Sequence, residues 1–272
     1  MTTHTPTTAT LTELLDLKGR VALVTGAGQG VGEAVASMLA GQGAAVAVND
    51  FHADRGERVA AKITECGGTA HAATADICDP QAVASMVAEV ERELGPIDIL
   101  INNAGNAGAV TEALKPLPKF WESTPEEWEP WIAVNYTGVM VATHAVVGGM
   151  VGRGYGRIVT VISDAGRIGE PDLIVYSGAK AGAAGFMRGL AKAVAPHGVT
   201  ANCVALGAVR TPAIEPALRD EKVAQRLARA YPVGRLGEPA DPAALITFLA
   251  SDAAAWITAQ TYPVNGGFSV AA

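Results

Sequence analysis

The stretch from Arg20 to Leu39 constrains this chain more than any other. Arg20-Val-Ala-Leu-Val-Thr25 is a short apolar, β-branched run, Gly26-Ala-Gly-Gln-Gly-Val-Gly32 follows it at once, and Val31 to Leu39 continues as an apolar periodic segment. A buried strand, a glycine turn and a helix account for that order. Glycines at such a junction let the backbone approach a pyrophosphate, whose charge the free N–H groups and dipole of the helix N-terminus then stabilise. The unit repeats. A strand from Ala44 to Asn49, a helix from Asp54 to Glu65, a strand from Thr69 to Ala75, a helix from Pro80 to Leu94 and a strand from Ile97 to Ile101 come next. Such alternation predicts an α/β chain: one doubly wound domain with a mostly parallel sheet of about seven strands, right-handed crossovers and helices on both faces. The apolar runs Arg157 to Ile162, Thr200 to Ala205 and Gln260 to Val264 complete the expected sheet, and Asp241 to Ala250 is the last expected helix.

No linker or composition shift divides residues 16–272, and 49% of the 272 residues are hydrophobic, so one domain with a large core is expected. A formal net charge of -7 without any run of Lys and Arg argues against a nucleic-acid partner. Cys66, Cys78 and Cys203 are widely spaced and form no C-x-x-C pair, which suggests buried free thiols in a reducing, cytoplasmic setting and no metal site. The Thr-rich N-terminus lacks a basic start and an apolar core, so it does not read as a secretory signal; residues 1 to about 15 read as a mobile arm. No uninterrupted apolar window of about 18 residues occurs, and no membrane partner is expected.

Carboxylates stand where strands should end. Asp50, 24 positions beyond Gly26, can accept hydrogen bonds from both adenosine ribose hydroxyls and would repel a 2'-phosphate, which favours NAD over NADP. Gln29 adds no cation to the turn, although His52 and Arg55 lie near enough to leave NADP open. Asp50 can instead cap the next helix, and Asp76 can either bond an adenine amino group or cap the helix that starts at Pro80. Asn102-Asn103-Ala104-Gly105 falls at the sheet's carboxyl edge, with room for a cofactor ribose.

The stretch Val161 to Lys180 carries the chemistry. Tyr176 and Lys180 lie four apart and share one face if a helix runs from about Tyr176 to Ala195. An ammonium beside a phenol stabilises the phenolate and lowers its pKa, which suits Tyr176 to general acid and base work. Ser163 can hold the same substrate oxygen in line. A Tyr and a Lys at this spacing also occur on many helices by chance. Between Gly105 and Asn135 the chain is irregular until Thr124-Pro-Glu-Glu127, a capping box with Pro at the first helical position. Trp128 and Trp131 should share a side of that helix, with Pro130 bending it, and either line a substrate mouth or pack against the body or a partner subunit. Ala213 to Tyr231 looks like a helical lid. His52, His71, His144 and His197 show no ligand spacing.

Taken together, TGAGQGVG at Thr25 to Gly32, the Asn102 to Gly105 turn, and YSGAK at Tyr176 to Lys180 with Ser163 thirteen positions earlier resemble the short-chain dehydrogenase/reductase family, in its compact form of about 250 residues. The resemblance implies a Rossmann-type catalytic domain over 16–272. It implies catalysis by Ser163, Tyr176, Lys180 and Asn135, the last organising a water that leads from the lysine. For the dinucleotide it implies contacts from Gly26, Gln29, Gly30, Val31 and Gly32, from Asp50, Asp76 and Ile77, and from Asn103, Ala104 and Gly105. Tyr176, Lys180, Gly207, Val209 and Thr211 would complete that set. The run Pro232-Val-Gly-Arg-Leu-Gly-Glu-Pro239 and the Val264 to Gly267 tail imply a homotetramer. Two positions depart from the pattern, Leu206 where Pro is usual before Gly207 and Ala259 where Gly is usual. The expected function is NAD(H)-dependent hydride transfer with a small-molecule secondary alcohol or ketone. The rivals are a 3-oxoacyl thioester reductase and a catalytically silent nucleotide-binding protein.

Overall fold

The structure is a computed structural model that describes residues 9–105 and 118–270. Thr10 caps a single helical turn, α1 (Leu11–Leu15), through a reciprocal capping box with Glu13. Part of the expected mobile arm is therefore ordered local structure, and the rest lies outside the described residues. The Thr-x-x-Glu spacing explains the turn: two otherwise orphaned N–H donors are satisfied by two side chains.

The first half of the sheet follows as β1 (Val21–Val24), α2 (Gly30–Gly41), β2 (Ala45–Asp50), α3 (Ala53–Glu65), β3 (Thr69–Thr74), α4 (Pro80–Glu93) and β4 (Ile99–Asn102). A continuous helical stretch then runs through α5 (Pro125–Ile132), a π-helical turn at Ala133–Thr137, and α6 (Gly138–Arg153). The second half comprises β5 (Gly156–Ser163), the single turn α7 (Ala165–Ile168), α8 (Ile174–Val194) and β6 (Val199–Leu206). The short helices α9 (Glu215–Leu218) and α10 (Glu221–Arg229), then α11 (Ala240–Leu249) and β7 (Thr261–Val264), complete it. The expected lid segment is thus helical.

The seven strands form one sheet in the order β3-β2-β1-β4-β5-β6-β7, and every pairing is parallel. Strand residues alternate between two cores. Val21 and Leu23 join Ile158 and Ile162 beneath α4, α6 and α8, whereas Ala22 and Val24 join Val159 and Val161 beneath α2, α3 and α11. Burial on both faces explains why the strands read as continuous apolar runs. Chain order reverses between β1 and β4, which opens a crevice at the carboxyl ends of those strands.

By length and composition the 29-residue stretch Pro125–Arg153 would suffice to cross a membrane. In the fold its second half is a core helix: Val139, Ala142, Val146 and Met150 are buried against the sheet and its flanking helices.

Candidate active site

The glycine turn meets the expectation drawn from it. Gly26 has φ +61°, and a Cβ there would lie 2.8 Å from the Cα of Ala104. A Cβ on Gly32 would overlap the Gly26 carbonyl oxygen. The Asn103 side chain donates to the Thr25 and Gly26 carbonyls at 3.0 and 2.9 Å, and the Thr25 hydroxyl accepts from the Asn103 and Ala104 N–H groups. The end of β4 is thereby pinned to the turn. Gln29 is the N-cap of α2 but its side chain makes no capping bond to the first N–H groups at Gly30, Val31 and Gly32. A helix start of that kind suits an anion. Thr211 packs on it, its Cγ2 being 3.2 Å from where a Cβ on Gly30 would sit.

The two aspartates resolve differently from their capping alternatives. Asp50 is buried, and its carboxylate accepts from the Gly28 N–H at 3.0 Å and the His52 N–H at 2.9 Å; the N-cap of α3 is His52. Asp76 accepts from the Cys78 N–H, while Asp79 caps α4 through the Gln81 and Ala82 N–H groups. Ile77 is buried against Gly138. Across the crevice, the Gly207 N–H bonds the Val264 carbonyl, and Val209 is buried in a bridge to Gly237. Leu206, in the place usual for Pro, ends β6 in register with Ser163 and Val264. Ala259 has φ +62°, the only positive φ outside glycine among the described residues, which explains why glycine is usual there.

Ser163 ends β5, and Tyr176 and Lys180 rise from the first turns of α8. Lys180 is 3% exposed and donates to the Val161 carbonyl at 2.9 Å. Asn135 is fully buried within the π-turn, where its side chain donates to the Trp131 carbonyl at 2.8 Å. The Asn135 Oδ1 and the Lys180 Nζ each lie 3.3 Å from the point a Cβ on Gly105 would occupy, so the two polar groups flank one spot. Ser163, Tyr176, Lys180 and Asn135 thus come together from three elements.

At Tyr176 burial opposes the lowering expected from a nearby ammonium. The phenol of Tyr176 is pushed upward by burial, and the hydrogen bond with Ser163 offsets only part of that rise. Burial depresses Lys180 itself to about 8, its ammonium is committed to the Val161 carbonyl, and its Nζ stands 5.8 Å from the Tyr176 ring centre.

Beside Tyr176 opens a cleft of about 300 Å³, walled by Phe120, Trp128 and Trp131 on one side and by Pro171, Leu173 and Ile174 on the other. Trp131 meets the Tyr176 ring edge-on at 5.7 Å, and Phe120 stacks on Trp128 at 5.2 Å. Trp128 and Trp131 thus line this cleft. Sequence reasoning passed over Thr25, Gly28 and Asn49, which tie the turn to its neighbours; Asn49 donates to the Ala73 and Ala75 carbonyls. Polar residues at the ends of apolar strands were the available signal.

A family model described as enoyl-(acyl carrier protein) reductase matches residues 26–269. An acetoacetyl-CoA reductase of Rhizobium meliloti (strain 1021) is 40% identical over 248 residues, 91% of this chain and 98% of that protein. The crystal structure of a 7α-hydroxysteroid dehydrogenase complexed with NADH and 7-oxo glycochenodeoxycholic acid superposes with a TM-score of 0.87 at 31% identity, covering 95% of this chain and 98% of that one. A gluconate 5-dehydrogenase from Burkholderia cenocepacia J2315, in complex with NADP and tartrate, gives a TM-score of 0.87 at 30% identity, covering 97% and 100%.

Proposed function

The chain belongs to the short-chain dehydrogenase/reductase family, and from that premise we propose that it transfers a hydride reversibly between NAD(H) and a secondary alcohol or ketone. The observation that carries this reading is the convergence of Ser163, Tyr176 and Lys180 at the carboxyl edge, beside a glycine turn fit for a pyrophosphate. When bound, the dinucleotide supplies or accepts the hydride. Gly26 to Gly32 and Thr211 would hold its phosphates, Asp50 its adenosine ribose, Asp76 and Ile77 its adenine. Asn103, Ala104 and Gly105 with Lys180 would take the second ribose, and Gly207 with Val209 the nicotinamide. Asp50 supports NAD over NADP, because its buried carboxylate would face a 2'-phosphate. The nearby Arg58 is already committed to the Gly28 carbonyl and Glu33.

Tyr176 gives its phenolic proton to the carbonyl oxygen in reduction and takes it back in oxidation; Ser163 holds that oxygen in line. Lys180 and Asn135 would bring the replacing proton from solvent in reduction and carry it to solvent in oxidation. The raised phenol stays protonated at neutral pH, which favours it as an acid and hence carbonyl reduction. Removing the hydroxyl in Tyr176→Phe should lower turnover by roughly 10²–10⁴-fold, while NADH binding, followed by fluorescence titration, stays close to wild type. Near-wild-type turnover would overturn the assignment.

A second reading, reduction of a 3-oxoacyl thioester, is supported by the acetoacetyl-CoA reductase relative and by the matching model's description. Assaying acetoacetyl-CoA beside plain ketones, with NADH and NADPH in parallel, separates the two. The C-terminal run, with Val233 and Val270 exposed, suits a homotetramer, which analytical ultracentrifugation tests.

A further inference from the structure

Resting on the oxidoreductase reading above, we propose that the cleft beside Tyr176 is an aromatic slot for an uncharged aryl substituent on the reacting carbonyl carbon, with Trp131 as its specificity-determining residue. Three observations carry this. First, the wall is braced before any ligand arrives: Phe120 and Trp128 stack with 20° between their planes, and the Trp128 Nε1–H donates to the Ser123 hydroxyl at 2.7 Å. Trp131 follows one helical turn later, and its ring already makes an edge-on contact with the ring that would donate the proton. A flat π-face laid against this panel gains aromatic contacts that an alkyl chain cannot make.

Second, the lining leaves apolar surface in water. Trp121 is 76% exposed, Ile174 45% and Phe120 42%. A substrate ring laid between the walls would cover part of that surface.

Third, among the described lining residues the one cation faces a carboxylate: Lys119 lies 4.0 Å from Asp172 across the lips of the cleft. Glu127 is occupied in the capping box, accepting from the Thr124 N–H at 2.8 Å. A multiply anionic thioester such as a CoA derivative would meet two carboxylates and one paired ammonium here.

Trp131 also acts at a distance from the ring it touches, because its carbonyl holds the Asn135 side chain. Its backbone belongs to the proton path, and its indole to the slot. Side-chain replacement leaves that carbonyl in place but removes the contact with Tyr176, so the slot is read by binding rather than by rate.

The test reads binding apart from turnover. In the Tyr176→Phe protein with NADH present, an aryl alkyl ketone and an aliphatic ketone of equal carbon number are titrated by calorimetry. The expected result is roughly tenfold tighter binding of the aryl compound, lost in the added Trp131→Ala change and kept in Trp131→Phe. Circular dichroism checks that each variant folds. In the protein with Tyr176 intact, Trp131→Ala should raise KM for the aryl ketone far more than it lowers kcat. Equal affinities for the two ketones, or an aryl preference that survives Trp131→Ala, would overturn the slot and leave the oxidoreductase reading standing. Selective aryl binding without turnover by the protein with Tyr176 intact would do the reverse.

Discussion

Lys180 carries its charge in a place that resists it. The folded protein releases the Lys180 proton near pH 8, whereas an unfolded chain keeps it to about 10.5. Between those values the unfolded state binds more protons, so this group's contribution to stability rises with pH and its penalty is largest below pH 8. Lys180→Met should therefore unfold at higher urea than wild type at pH 7. The gap should close by on the order of 3 kcal/mol as pH passes from 8 to 10.5. A gap independent of pH would mean that the methionine acts through packing alone. Tyr176 gives the companion prediction. Because burial holds its phenol up, the rate of carbonyl reduction should be flat through neutral pH and fall only in alkali. Alcohol oxidation, which needs the phenolate, should climb over the same alkaline range. Initial rates in both directions across pH check this.

Strands and helices were legible as elements because burial on two faces turns strands into continuous apolar runs, and because glycine, Pro and capping residues punctuate them. Irregular elements were not. The π-turn at Ala133–Thr137 arises where Pro130 withholds an N–H and the Asn135 side chain takes the Trp131 carbonyl. No hydrophobic period announces such a turn. The expected bend at Pro130 became this turn a few residues later. Ser163, Tyr176 and Lys180 were readable from spacing, but the balance between burial and charge at the phenol was not, since it depends on what packs around α8. The joint between β4 and the glycine turn is an element-scale device. Asn103→Ala would remove two half-buried hydrogen bonds and strand the Thr25 and Gly26 carbonyls, costing at most about 1–3 kcal/mol per orphaned group. Denaturant unfolding should register that loss, and NADH affinity should fall with it as the turn loosens. Weakened stability with unchanged NADH affinity would show the pin to be structural only.

Over the whole molecule, seven parallel strands put every carboxyl end on one rim and every amino end on the other. The first rim gathers the glycine turn, Asp50, Ser163 and the aromatic cleft from segments far apart in sequence. Trp128 and Trp131 were legible as candidates for that cleft, but its opposite wall at Pro171, Leu173 and Ile174 was not. The second rim is closed by a stack in which the Arg20 and Arg157 guanidiniums lie over Tyr155 at 3.5 and 4.3 Å and Arg157 pairs with Asp252. Saturating NADH at ~100 times its Kd should stabilise the fold by about 2.7 kcal/mol, read as a rise in Tm that Asp50→Ala diminishes. The same polarity sorts the thiols. Cys66 is exposed in the turn that feeds β3, whereas half-buried Cys78, pushed up to about 12 by burial and Asp76, follows that strand's far end. A maleimide at neutral pH should therefore attach once, at Cys66. That single handle would tether the enzyme to an electrode or bead with its working rim turned toward the solution.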